Sequence, residues 1–286
     1  MSAFGRAYHA QCETPVFADT QAKRLLPEYE MMGEYVLSGM NFFAPERKGT
    51  FSDKGEALRY LMNTQIVPTP VARARFCEDS LFTALRTGTE QYVILGAGLD
   101  TFALRNKGNV PVFEVDHPLT QEDKRERLAN AGIEIPGNLR FVPVDFTKDD
   151  LQEALLSSGF DPKKKTFFSW LGVSYYLSAD DVERMLATLA RLSAEGSSLV
   201  FDVADERLFS SPVRRVKNML AMAQAGGEGM KSCFSYGEIE RLLEKYGFLI
   251  YEWLTPAQIN EQYFANRTDD LTAFEHICYA NAVKKL

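Results

Sequence analysis

At 286 residues, 45% of them hydrophobic, the chain can bury one large core with a small accessory layer, which excludes disorder as its general condition. A formal net charge of -7 excludes the basic stripe that nucleic acid or an anionic membrane surface requires, so the expected partner is a small molecule, with no nucleic acid and no membrane. Cys12, Cys77, Cys233 and Cys278 stand far apart with no CxxC pair and no histidine at ligand spacing, so neither a metal site nor a disulfide framework is expected.

The opening MSAFGRAYHAQCETPVF lacks an apolar leader core, and no run reaches the roughly 18 apolar residues of a membrane span, so a cytoplasmic location is expected. Residues 1–286 read as a single domain whose residues 1–81 form a helical N-terminal extension or lid. Helical pieces lie in ADTQAKRLLPEYEMMGEYVL and DKGEALRYLMNTQIV. Pro68 and Pro70 mark a break, after which VARARFCEDSLFTAL resumes as a helix leading to the first strand.

Residues 82–286 alternate strand and helix, the pattern of an α/β fold with a mainly parallel sheet and helices on both faces. The expected strands, in order, are YVILG, PVFEVD, LRFVPVDF, TFFSWLGV, SSLVFDVAD, FLIYEWL and HICYANAVKK, seven in all. The last two are close in sequence with no full amphipathic helix between them, and are expected as an antiparallel pair at one end of the sheet. Ser178 is the expected N-cap of SADDVERMLATLARLSAEG, which ends at a glycine. An insertion at 206–230 is expected to cover the substrate site.

YVILGAGLDTFALR places a glycine turn at the carboxyl end of a parallel strand, where open α/β sheets bind ligands. A dinucleotide fingerprint requires a third glycine, but that position is Thr101, preceded by Asp100. An acid there repels a pyrophosphate and suits an ammonium or sulfonium, and S-adenosylmethionine carries both. Asp116, ending the second strand about 20 residues past the glycines, suits ribose hydroxyls; Glu114, alternating with it, is the other candidate. Asp145 and Phe146, ending the third strand, suit the amine and ring of adenine. Each of these acids has a turn or helix cap as its alternative role. A cofactor carboxylate calls for a guanidinium fork, which Arg73 or Arg75 can supply; two positions apart on a helix, they face different ways.

Assembled, these residues resemble the leucine carboxyl methyltransferase-like family of class I S-adenosylmethionine-dependent methyltransferases, including its bacterial tetracenomycin-type polyketide O-methyltransferase branch. The resemblance lies in RARFCEDSL, VILGAGLDTFALR, VFEVDHP and SWLGVSYYLSADDVERML, within Ala72 to Ala187. It implies a Rossmann-like seven-stranded fold. It further implies that Arg73 binds the cofactor carboxylate, Gly96 and Gly98 the methionine portion, Asp116 the ribose, and Asp145 with Phe146 the adenine. Eukaryotic members read Glu-Gly where this chain has Leu171-Gly172, a departure that turns the reading from a protein phosphatase substrate toward the bacterial small-molecule branch. ETPVFADTQAKRLL is similar to a bacterial segment that folds over the cofactor.

The implied activity is O-methylation of a carboxylate or hydroxyl of a small molecule. A carboxylate acceptor needs orientation alone, whereas a phenol or alcohol calls for a base, for which His is the usual choice. His117 is the candidate beside the active edge, with capping of the following helix as its alternative role, while His9 lies in the lid and His276 opens the last strand. Tyr175 and Tyr176 are placed to line the acceptor pocket. Arg214 or Arg215 of the insertion can meet an acidic acceptor; its Met219, Leu220 and Met222 can also be simple packing. A nicotinamide-dependent oxidoreductase and a non-catalytic cofactor binder are the alternatives, and a homo-oligomer is left open.

Overall fold

The computed structural model describes every residue except Lys107, Asn109, Thr147 and Leu286. Seven strands form one sheet: β1 (Gln91–Leu95), β2 (Val112–Asp116), β3 (Leu139–Pro143), β4 (Thr166–Trp170), β5 (Ser198–Ala204), β6 (Phe248–Leu254) and β7 (Ile277–Lys284). Their order is β3-β2-β1-β4-β5-β7-β6. The first five are parallel, and β7 runs antiparallel between β5 and β6. The expected C-terminal antiparallel pair is thus present, with β6 at the sheet's open edge. This is the α/β architecture of class I methyltransferases.

β1 and β4 are buried along their whole length because helices cover both faces of the sheet, so their apolar runs do not alternate with polar residues. Their side chains nevertheless divide between the two faces at period two. Tyr92 and Ile94 join one core with Phe76, Leu81 and Tyr279, while Val93 and Leu95 join the other with Phe168, Leu186 and Leu243. The chain order reverses between β1 and β4, which opens a crevice at their carboxyl ends.

The helix Ala179–Leu192 carries the expected Ser178 cap, closed reciprocally by Asp181, but it stops at Leu192 rather than at Gly196. The N-terminal extension is helical in short pieces: Ser2–His9, a 3-10 turn Ala22–Leu25, Tyr29–Ser38 and Lys54–Leu61. Pro68 begins a helix rather than simply breaking one. It and Pro70 occupy the first turn of Pro68–Arg86, where a missing N–H costs nothing. That helix crosses position 81 without interruption and packs onto the sheet, carrying RARF with it. The insertion supplies a 3-10 turn, Leu208–Ser210, and one α-helix, Arg214–Ala225.

Candidate functional site

The crevice between β1 and β4 holds a cleft of about 200 Å³ whose floor is Gly96, Ala97, Gly98 and Asp100 and whose wall is Arg73. Two glycines make room for it. Gly96 has φ +70, and a Cβ there would lie 2.6 Å from Val173 Cγ2; Gly172 has φ +73, and a Cβ there would lie 2.6 Å from both terminal nitrogens of Arg73. The Asp100 carboxylate accepts from Phe102 N at 2.7 Å, which fixes the turn and leaves an acid at the cleft.

Of the two candidate arginines, Arg73 faces the cleft. Its Nη1 donates to Asp202 Oδ2 at 3.0 Å and to the Tyr175 hydroxyl at 3.1 Å, and its Nη2 donates to Ser2 Oγ at 3.1 Å. Nε–H and the second Nη2–H have no partner among the described residues and remain available to an anion. Arg75 is turned to solvent, its side chain half exposed and paired with Asp79 at 2.7 Å. Asp202 also accepts from Gly172 N at 2.6 Å, so one buried carboxylate fixes both the arginine and the turn after β4. Asp202 escaped the sequence reading. The signal was a lone charge inside SLVFDVA, a strand buried along its whole length, where an acid persists only if paired.

The N-terminal extension closes over the glycine turn. Thr101, at the position of the missing third glycine, donates to Asp19 Oδ1 at 2.7 Å. Arg6 bonds Asp19 Oδ2 at 2.9 Å and the Leu99 carbonyl at 2.8 Å, and Phe17 lines the cleft. Arg105 reaches Glu78 and lies 3.5 Å from Asp19. Burial raises the Glu78 carboxyl above its usual range despite the Arg105 hydrogen bond pulling it down. Burial likewise pushes up the Cys77 thiol, which also lines the cleft. With an arginine fork on one side and the Asp100 acid on the other, these groups suit a zwitterion carrying a carboxylate and a cationic centre.

Asp116, Asp145 and Phe146 do not line this cleft. Asp116 is turned onto the backbone, accepting from Gly98 N at 2.6 Å and from His117 N at 2.7 Å, so it adjoins the glycine turn from outside. Asp145 bonds Lys148 at 2.7 Å and lies 3.9 Å from His117 Nε2, while Phe146 packs against the second core. Glu114 is not a ribose candidate. Its side chain points into the protein, fully buried against Lys124, and burial raises its carboxyl to about 7. His117 takes the capping role, its Nδ1 accepting from Leu119 N at 3.3 Å.

A second cleft of about 250 Å³ shares Ser2, Pro70 and Arg73 with the first. Tyr175, Tyr176, Met219 and Met222 line it, so both tyrosines and the insertion helix meet at one cleft. Burial lifts the Tyr175 hydroxyl well above its ordinary pKa and Tyr176 less so. The insertion arginines do not point into it. Arg214 pairs at the surface with Glu46 at 2.9 Å, and Arg215 is held by Glu275 at 2.6 Å and by the Phe274 ring, 4.8 Å away. The other histidines are structural. His9 is buried and accepts from Val16 N at 2.8 Å, and His276 bridges Asp205 and Ser211. Among the described residues no group of acids, cysteines and histidines could hold a metal ion, and no helix is long and apolar enough to cross a membrane.

The family model described as leucine carboxyl methyltransferase matches residues 1–190. Over 294 aligned positions the chain is 47% identical to YktD of Bacillus subtilis strain 168, covering 100% of this chain and 96% of that protein, whose name describes an S-adenosyl-L-methionine-dependent methyltransferase. A Mycolicibacterium gilvum protein with a name of the same kind is 32% identical over 232 residues, 75% of this chain and 70% of that one. Among solved structures, a DUF574 family protein of Streptomyces avermitilis superposes with a TM-score of 0.55 at 14% identity, covering 99% of this chain and 97% of that one. A Thermobifida fusca protein described as a methyltransferase gives 0.55 at 17% identity, over 99% and 94%.

Proposed function

From a chain that belongs to the leucine carboxyl methyltransferase family of S-adenosylmethionine-dependent methyltransferases, as this one does, we infer an O-methyltransferase whose acceptor is a small molecule, methylated on a carboxylate in preference to a hydroxyl. The observation that carries this reading is the composition of the second cleft. Among its described lining residues there is no carboxylate and no imidazole, so the cleft offers an acceptor no general base. A carboxylate is already ionised at neutral pH and needs no base. A phenol needs a base, and the two tyrosines, with hydroxyl pKa values raised by burial, are poor ones.

In this reading the cofactor supplies an electrophilic methyl group for in-line displacement. Gly96 and Gly98 admit it to the turn, Asp100 faces its cationic end, and Arg73 holds its carboxylate. By the family resemblance Asp116 would serve the ribose and Asp145 with Phe146 the adenine, although none of the three lines this cleft. Met219, Met222, Ile66 and Phe274 exclude water around the acceptor, so that catalysis comes largely from holding oxygen and methyl in line. A cytoplasmic location and a bacterial polyketide-type acceptor belong to the same proposal. The relatives favour neither the nicotinamide alternative nor a non-catalytic binder.

The test is transfer of labelled methyl to a panel of apolar carboxylic acids, phenols and peptides. Turnover of carboxylic acids, independent of pH above the acceptor's own pKa, is expected. Turnover restricted to phenols, rising with pH, would overturn the carboxylate assignment.

A further inference from the structure

The helix Pro68–Arg86 presents one continuous stripe to the cofactor cleft. Pro70, Arg73, Ala74, Cys77 and Glu78 all line it, at the i, i+3, i+4, i+7, i+8 spacing of a single helical face. Arg73 and Glu78 are thus the charged members of one wall, with Ala74 and Cys77 between them and about 7.5 Å of helix rise separating them. An amino-acid head carries its carboxylate and its ammonium on one carbon. With a hydrogen bond of about 2.9 Å on either side of it, such a head fills a gap of this size between a guanidinium and a carboxylate.

The charges around the cleft do not balance. Its charged lining residues, with the acids salt-bridged to them, are three arginines, Arg6, Arg73 and Arg105, and four carboxylates, Asp19, Glu78, Asp100 and Asp202, which leaves one negative charge over. S-adenosylmethionine, with one carboxylate and two cationic centres, brings one net positive charge.

The four carboxylates are committed to different degrees. Asp202 serves Arg73, the Tyr175 hydroxyl and Gly172 N. Asp19 accepts from Arg6, Thr101 and Ala22 N; burial works against its charge, but Arg6 and Thr101 outweigh it and hold the carboxyl below its usual range. Asp100 fixes its own turn through Phe102 N. Glu78 has Arg105 as its partner among the described residues, and Arg105 also approaches Asp19 to 3.5 Å. Only 14% of the Glu78 side chain is exposed, and burial raises its carboxyl more than Arg105 lowers it. A carboxylate offers about four lone-pair sites, and Arg105 occupies two.

Building on the placement of the cofactor in this cleft, we propose that Glu78 is a cofactor-binding residue: its carboxylate receives the α-ammonium of S-adenosylmethionine while Arg73, on the same helix face, holds the α-carboxylate. One face of one helix then reads the whole amino-acid head. The competing role of Glu78 is to hold Arg105, and through it Asp19 and the segment closed over the glycine turn. That role depends on no particular atom of the ligand, and this separates the two.

Calorimetric titration of the full chain compares S-adenosylhomocysteine with its deaminated analogue, in which hydrogen replaces the amino group. Both have a neutral sulfur, which removes any share of Asp100 in meeting a sulfonium. The unmodified chain should bind S-adenosylhomocysteine at least about tenfold more tightly than the analogue, the effect of one charge-assisted hydrogen bond. Glu78→Gln should lose that preference and bind both ligands about as the unmodified chain binds the analogue. Glu78→Asp, which keeps a charge for Arg105 but draws it back by one carbon, should narrow the preference. Equal affinity of the unmodified chain for the two ligands overturns the proposal. So does a Glu78→Gln protein that binds both more weakly yet keeps the native ratio, which would assign Glu78 to Arg105 alone. Arg73→Ala distinguishes the levels of failure. Unchanged binding of S-adenosylhomocysteine by that variant overturns the placement of the cofactor itself, whereas dependence on Arg73 with an intact amine preference in Glu78→Gln overturns the role of Glu78 only.

Discussion

Gly172→Ala tests the link between the turn after β4 and the arginine. The residue sits at φ +73, where an L side chain costs about 1–2 kcal/mol. Its Cβ would also lie 2.6 Å from Arg73 Nη1 and Nη2 and 2.8 Å from Cζ, against an ordinary contact of 3.4 Å or more, so the guanidinium must retreat by several tenths of an ångström. The fork has little room to do so, because Asp202 holds Nη1 at 3.0 Å and Ser2 holds Nη2 at 3.1 Å. Losing one charged hydrogen bond adds roughly 1.5–3 kcal/mol, for a total near 3–5 kcal/mol. The variant should therefore melt roughly 6–15 °C lower and bind S-adenosylmethionine at least about tenfold more weakly in a calorimetric titration. Gly132→Ala is the control. It has φ +61 with nothing within 4 Å of the added carbon, so it carries backbone strain alone and should leave cofactor affinity intact. A Gly172→Ala protein with wild-type affinity would refute the placement of Arg73 at the cofactor.

Arg73→Ala should abolish measurable cofactor binding, whereas Arg75→Ala, which loses a half-exposed pair, should change affinity and stability by less than about 1 kcal/mol in the same titration. Replacing Met219 and Met222 together by Ala should raise KM for the acceptor with little effect on cofactor affinity, since these side chains line the second cleft and not the first; equal losses for both ligands would disprove the division of roles. His9 makes the lid sensitive to acid. Burial, then the Arg267 charge, lowers its pKa to about 4 from an unfolded value of 6.5, so its contribution is complete above pH 6.5 and is lost as pH falls toward 4. The full effect is at most about 3 kcal/mol. His9→Gln, which keeps an acceptor for Val16 N–H, should flatten the fall in melting temperature over that interval; an unchanged slope would place the acid sensitivity elsewhere.

The strands, their number and the C-terminal antiparallel pair were legible because each signal is local: an apolar run closed by turn residues, or two runs too close for a crossover helix. Ser178 was legible for the same reason, its capping box lying within four residues. The choice between Arg73 and Arg75 was not. Spacing places them on different faces of one helix, but which face meets the sheet depends on Phe76 and Leu81 entering the core. Arg215 shows the converse failure. Helical spacing puts it on the same face as Met219 and Met222, yet Glu275 and Phe274, some sixty residues on, take its guanidinium before it reaches the cleft. Glu114 and Asp116 alternate along β2, and a one-residue step decides between a salt bridge inside the protein and a carboxylate beside the glycine turn.

The largest part of the site that the sequence did not reveal lies in contacts between distant segments. Asp19 accepts from Thr101 across 82 residues, Ser2 meets Arg73 across 71, and Arg6 reaches the Leu99 carbonyl across 93. No periodicity or composition records such pairings, since each residue is ordinary within its own segment. Their consequence concerns what the N-terminal extension is. Phe4, Ala7, Phe17, Leu26 and Val36 are buried in the same core as Phe76, Leu81 and Tyr92, so the extension shares the interior of the sheet and is not a separate layer. The helix that crosses position 81 carries Arg73 on one side of that position and Ala84 on the other, both set by one packing arrangement. A threonine where a dinucleotide-binding turn has glycine is then accounted for twice. Thr101 removes the close helix approach that a pyrophosphate requires, and its hydroxyl anchors, through Asp19, the segment that closes the cleft. The substitution that excludes one class of cofactor thereby also builds the wall of the site for the other.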